Sequence, residues 1–151
     1  MTAETIPDAY NLLRDFLLHD EYYLESSEVY GHRGEEAIRG ALELFLARPE
    51  LGFVWLAYED DKPVAVCMVC FAISTSTGSL VAKLDDVYVI DEKQGQGVGS
   101  YLISSLKREL VDMDIRRIDS SVHHKNKDAE RFYRRNGFRF LQEERLSCVL
   151  G

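Results

Sequence analysis

Apolar residues near the start of the chain recur at i, i+3 and i+4. Ala9, Leu12, Leu13, Phe16 and Leu17 form one stripe, and Pro7 sits early, where its missing N–H does no harm; a helix is predicted over residues 5–18. Ile38, Ala41, Leu42 and Phe45 repeat the pattern over 35–47, and Pro49 stops it. The stretch between, HDEYYLESSEVYGHRG, is polar and aromatic and reads as loop or a short helical turn. Residues 53–59, 64–74 and 80–90 are then rich in β-branched and aromatic residues. Short turns at 60–63 and 76–79 separate them, which predicts an antiparallel meander. The helical period returns over 97–111, with Val98, Tyr101, Leu102, Leu106 and Leu110. A strand is predicted over 115–122, a helix over 127–135 capped by Gly137, and one long or two short strands over 138–150. The order is α-α-β-β-β-α-β-α-β, an antiparallel half joined to a βαβ half. It predicts an α/β (α+β) fold: a mixed, mostly antiparallel central sheet with helices on both faces.

Composition narrows the classes. The 151 residues suit a single domain over 1–151; 46% are hydrophobic and 29% charged, as in globular chains. The longest apolar run, VAVCMVCFAI, has ten residues, too few to span a membrane. The opening MTAETIPDAY has neither a basic n-region nor an apolar h-region, which predicts no secretory leader. Three cysteines argue against a disulfide framework and for a reducing, cytoplasmic setting. Cys67 and Cys70 form a CxxC inside a strand and read as strand filler; no metal site is expected. The net charge of −8 argues against nucleic acid as a partner and favours a cationic one.

Two segments carry chemistry. In VYVIDEKQGQGVGSYL a strand ends, a glycine-rich turn follows and a helix begins. Gly95, Gly97 and Gly99 let backbone N–H groups face one concavity, and the helix adds its positive end, which suits a phosphate. The spacing is neither a Walker loop nor a dinucleotide fingerprint. One strand later comes NKDAERFYRRNGF, an amphipathic helix with Ala129, Phe132 and Tyr133 on its apolar stripe.

QGQGVG at 94–99 resembles the Q/R-x-x-G-x-G/A acyl-CoA loop of the GNAT superfamily of N-acetyltransferases. NKDAERFYRRNGF at 126–138 resembles that superfamily's N-x-x-A-x-x-F-Y-x-x-x-G-F motif. The element order also matches, over nearly the whole chain. Two departures stand out. The family's first strand is short or missing, since only residues 1–4 precede the first helix, and Gln94 replaces the commoner arginine.

The resemblance implies acetyl-CoA as cosubstrate, lying between two splayed parallel strands. Backbone contacts then fall to Val87, Tyr88 and Val89, and the pyrophosphate to the amides of Gln94, Gly95, Gln96, Gly97, Val98, Gly99 and Ser100. Asn126 lies near the cofactor arm. Tyr133 matches the family's general acid, and Asp86 and Glu21 are candidate bases acting on the incoming amine. Asp20, Glu21, Tyr22, Tyr23 and Asp85, with Tyr30 and His32 nearby, would line the acceptor side. Strand alternation sends Asp85 and Asp86 to opposite faces. His123 and His124, at a strand end, read as structural or solvated. The activity implied is transfer of an acetyl group to a small cationic amine. A protein or peptide acetyltransferase and a non-catalytic acyl-CoA sensor are the alternatives, and a homodimer is the family's commonest assembly.

Overall fold

A computed structural model gives the protein's architecture; it describes the backbone of residues 1–30 and 34–150, and the side chains of 1–25 and 34–150. The elements are α1 (Ile6–His19), α2 (Glu21–Tyr30), α3 (Gly34–Ala47), β1 (Gly52–Glu59), β2 (Lys62–Ser74), β3 (Ser79–Val89), α4 (Val98–Asp112), β4 (Ile118–Ser120) and α5 (Lys127–Arg135). The strands form one sheet in the order β1-β2-β3-β4, antiparallel except for the parallel pair β3/β4.

The sheet buries both faces. Val54, Val66 and Met68 pack with Ala9, Leu12 and Leu13 of α1 and Ile38 and Leu42 of α3. Ala65, Cys67, Val69, Ala82 and Leu84 pack on the other face with Leu102, Ile103, Leu106 and Leu110 of α4 and Tyr133 of α5. From Ala65 to Val69 the residues of β2 thus divide by parity between two cores, which is why its sequence reads as an unbroken apolar run. The β1–β2 turn carries positive φ at both Asp60 and Asp61, the backbone of a tight hairpin; aspartate tolerates that region better than most residues.

Three expectations are corrected. The stretch after α1 is a ten-residue helix, α2, longer than the loop or short helical turn expected. Asp20 accepts the Tyr23 N–H at 2.7 Å, a side-chain cap that starts the helix. Residues 138–150 form no strand. A strand is held by its neighbour, and β4 offers only three residues, so the segment stays exposed, with Leu146 and Leu150 about nine-tenths open to solvent. Asp85 and Asp86 do not alternate. The β2/β3 register passes from Cys67↔Val87 to Val69↔Leu84, so β3 holds one extra residue opposite Met68. Ala82 and Leu84 face the α4 core, and after the bulge so do Val87 and Val89, while Tyr88 faces α1. That parity puts Asp85 and Asp86 together on the α1 side. Before α1 there is no strand among the described residues; the Met1 amino group donates to Val54 O at 2.8 Å on the outer edge of β1.

Gly99 lies where α4 crosses α5: a Cβ there would come within 2.9 Å of the Phe132 ring and 3.4 Å of Val89. Gly40 has open space around it within α3. Gly99→Ala should therefore lower the melting temperature by displacing Phe132. Gly40→Ala should raise stability by about 0.5–1 kcal/mol through helix propensity. Thermal unfolding of the two variants beside the parent checks both signs.

Candidate active site

The parallel pairing of β3 with β4 covers only Ala82↔Ile118, Lys83↔Asp119 and Leu84↔Ser120. The Asp85/Asp86 bulge follows at once, and beyond it Val87, Tyr88 and Val89 pair with β2 on one edge and with no strand on the other. A cleft of about 740 Å³ opens there. Its walls include Val87, Tyr88, Val89, Gln94, Gly95, Gly97, Gly99, Ser100, Asn126 and Tyr133, with Asp15, Phe16, His19 and Asp20 from the α1 side. Residues far apart in the chain thus meet around one opening.

The glycine turn ends at α4. Gly95 and Gly97 have φ of +72° and +87°, values that favour glycine. Gly97 is the N-cap and has no side chain to close the helix; no acidic residue lies in the first turn. The leading amides of α4 therefore have no capping acceptor from the protein, and they add to the positive end of the helix. This is an anion cradle built from backbone. Gly99 serves it differently from its two neighbours, by admitting Phe132 rather than by an unusual φ. The Gln94 amide donates to Val89 O at 2.9 Å and Asp91 Oδ1 at 3.1 Å, and so ties the turn to the end of β3. Gln96 donates to Glu92 O at 2.7 Å and braces the outside of the turn, while Val98 packs on the α4 core.

Asn126 starts α5: its Oδ1 accepts the Ala129 N–H at 2.9 Å. Two turns later Tyr133 is buried against the sheet, with Phe132 and Phe138 in edge contact at 5.3 and 5.1 Å. Burial raises its pKa, the Ser120 hydroxyl pulls the other way, and Cys67, Asp86 and Asp85 add to the rise. Ser120 carried no signal in the sequence, because nothing there shows which residue ends the parallel pairing.

Asp86 is the most perturbed acid. Desolvation pushes its carboxyl up to about 7, helped by the neighbouring Asp85 and opposed by Lys83 and Arg145. Asp85 is exposed and pairs with Lys83 at 3.4 Å. The bulge explains the contrast, since it crowds two carboxylates onto one face and leaves one of them poorly solvated.

The acceptor-side residues divide. Asp20 lines the cleft, though its carboxylate already caps α2. Glu21 is exposed in the first turn of α2. Tyr23 packs on Phe16 at 6.0 Å and Tyr22 on His123 at 5.3 Å. Glu25 binds Lys125 at 2.7 Å and lies 3.6 Å from His123, so α2 is clasped to the segment before α5. Lys125 holds the Glu25 carboxyl below its ordinary range. The side chains of Glu28, Tyr30 and His32 lie outside the described residues. A smaller hollow between α1 and α3, about 220 Å³, is remote from these groups. There Tyr10 donates to Glu35 and Arg39 stacks over the Tyr10 ring. Among the described residues no cluster of His, Cys, Asp or Glu could hold a metal, and no helix is long and apolar enough to cross a membrane.

The split in the sheet, the glycine cradle and the buried tyrosine thus meet in one cleft. A family model, the acetyltransferase (GNAT) family, matches residues 9–138, and the chain belongs to that family. Solved structures share the fold. An integron cassette protein from the mobile metagenome of Cole Harbour Salt Marsh superposes with a TM-score of 0.80 at 22% identity, over 100% of this chain and 88% of its own. A probable acetyltransferase gives 0.73 at 25% identity, over 99% and 94%. An aminoglycoside N-acetyltransferase solved in complex with CoA gives 0.76 at 14% identity, over 98% and 90%. No curated protein matches the chain at a significant level.

The raised Asp86 carboxyl has a consequence for stability. The unfolded chain releases this proton near 3.9, whereas the folded chain releases it near 7. The folded state therefore loses stability as pH rises from about 4 to about 7. Asp86→Asn removes that loss. The variant should match the parent near pH 4 and be more stable at pH 8, by about 1 kcal/mol or more. Denaturant unfolding at the two pH values measures the difference.

Proposed function

We propose that the protein is an N-acetyltransferase that moves the acetyl group of acetyl-CoA to the primary amine of a small cationic molecule, by direct attack in a ternary complex. The observation that carries this reading is the unpaired edge of β3 at Val87, Tyr88 and Val89, which runs from the bulge to the uncapped start of α4. That slot fits an extended chain ending in a pyrophosphate. The backbone of 87–89 would hold the chain, and the amides from Gln94 to Ser100 would hold the anion. Asn126 uses its oxygen to cap α5, which leaves its amide nitrogen for the cofactor arm. Acetyl-CoA supplies a thioester, an acyl group already activated toward an amine.

The protein's own task is proton management. An alkylamine is protonated near neutrality, with a pKa of about 10.4, and a leaving thiolate has a conjugate acid near 8.5. Asp86, with its carboxyl near 7, is matched to take a proton from the amine, directly or through water. Tyr133 gives its hydroxyl proton to the departing sulfur. Asp86 stands on the α1 side of the sheet and Tyr133 on the α4 side, so the amine enters from one face and the thiol leaves toward the other. Glu21 is left as an exposed charge that draws the acceptor in. Asp15, Asp20, Asp91 and Asp128 line the cleft and, with the net charge of −8, support a cationic acceptor. Aminoglycosides, the substrates that name one structural relative, are polycationic amines.

A panel of polyamines, aminoglycosides, amino acids and lysyl peptides, followed by free thiol release, tests the reading. Cationic small amines should turn over best, with a specificity constant that falls as salt screens the cleft; a preference for neutral or anionic acceptors would refute the acceptor class. Tyr133→Phe should lower turnover ~10²–10⁴-fold with acetyl-CoA affinity kept. Gly97→Val should weaken acetyl-CoA binding by calorimetry, because a β-branched residue is strained at that φ and its side chain intrudes on the cradle. Turnover within about threefold of the parent in Tyr133→Phe assigns the tyrosine to packing alone.

A further inference from the structure

One polar atom stands apart from the hydrogen-bond network. Ser120 Oγ is shut off from solvent and completes no hydrogen bond of normal geometry. Buried hydroxyls rarely stay unpaired in native proteins, and the exceptions call for an explanation. Its position is specific: Ser120 makes the last pairing between β3 and β4, opposite Leu84, at the apex of the opening between the strands. Its neighbour across that apex is Tyr133, which is buried on α5 and lines the cleft.

We propose that Ser120 is a positioning residue, whose Oγ–H donates a hydrogen bond to Tyr133 Oη once that oxygen has given up its proton. The proposal rests on the reading of Tyr133 as the acid. The ammonium first loses one proton to solvent; in the step itself the amine lone pair forms the C–N bond, the second nitrogen proton passes to Asp86, and the C–S bond breaks with its electron pair going to sulfur. Tyr133 passes its Oη proton to the sulfur, and a phenolate remains in a buried site. Asp86 holds the proton taken from the amine, and solvent exchange returns both groups to their starting states.

A buried phenolate is costly without a donor. The groups around Tyr133 offer few. Cys67 of β2 is buried, with its thiol pushed up to about 12. Asp85 and Asp86 of β3 oppose a negative charge on the ring. Lys107 of α4 is engaged by the Asn136 carbonyl and the Phe138 ring. Ser120 is the donor that remains among these groups, and its effect on the tyrosine is to lower the pKa, against the effect of burial. An uncommitted hydroxyl in the resting protein is then what the step needs, because no existing bond must break when the charge forms.

The test places 3-fluorotyrosine at position 133 and follows its titration by fluorine NMR in the free protein, in the parent, Ser120→Ala and Ser120→Thr backgrounds. Ser120→Ala should raise the phenol pKa, and Ser120→Thr should restore it. Separately, without the label, Ser120→Ala should lower kcat about tenfold or more, the size of a hydrogen bond to a charged group, with the KM for acetyl-CoA unchanged. It should have no further effect in a Tyr133→Phe background. Because the serine hydroxyl completes no hydrogen bond of normal geometry at rest, Ser120→Ala should melt close to the parent temperature. Failure of the two ideas looks different. If Tyr133 is not the acid, Tyr133→Phe keeps parental turnover. If only the serine's role is wrong, Tyr133→Phe is slow while Ser120→Ala leaves both the titration and kcat unchanged.

Discussion

The site depends on one constraint: β3 and β4 stay paired for three residues and then part. The cause is local. One extra residue in β3, at Asp85 and Asp86, breaks its register with β2, and a bulge bends its strand and increases the twist. Past the bulge, the backbone of residues 87–89 keeps polar groups on an edge that no strand covers. Such groups call for partners, and an extended ligand can supply them as a strand would. The glycine turn lies at the far end of that edge, so recognition of a chain and recognition of an anion lie on one line.

The same bulge sets the charge around the cleft. It turns Asp85 and Asp86 to the α1 face together, and the crowding and poor solvation lift the Asp86 carboxyl to about 7. Tyr133 stays on the opposite face, in the α4 core. Under the proposed function, acid and base would therefore lie on opposite sides of the sheet, and Tyr133 is the one of the two that lines the cleft. The α2 side of the cleft is less rigidly built. The Glu25–Lys125 clasp is exposed, and exposed pairs contribute little to stability. Ring contacts of Tyr23 with Phe16 and of Tyr22 with His123 also tie α2 to its neighbours.

Much of this was legible in the sequence. The helix over 127–135 came out residue for residue, because an asparagine cap, an apolar stripe and a terminal glycine all agree. The glycine turn was legible because positive φ and close approach restrict the residue type. The helix after α1 exceeds the loop or short helical turn that the sequence suggests: its apolar stripe is weak, and nothing local marks Asp20 as a helix cap rather than an acceptor-side acid. The strand predicted over 138–150 was wrong for the reason common to strands. Its pattern is local, but its stability belongs to a neighbour, and β4 is too short to provide one.

The sequence by itself determined the meander and the helices that flank it, the glycine cradle, the tyrosine and the acidic balance. All of these follow from residue type and short-range spacing. Tertiary structure decided the rest. Alternation would have sent Asp85 and Asp86 to opposite faces, but the register with β2 put them on one. Gly99 was singled out for its backbone, and the crossing of α4 and α5 adds a second reason for a glycine there, the close approach of Phe132. Ser120 had no mark in the sequence at all, and became notable only when β4 ended beside a buried tyrosine. Register, burial and the desolvation that shifts a pKa are properties of pairs of segments, and a chain read one residue at a time does not contain them.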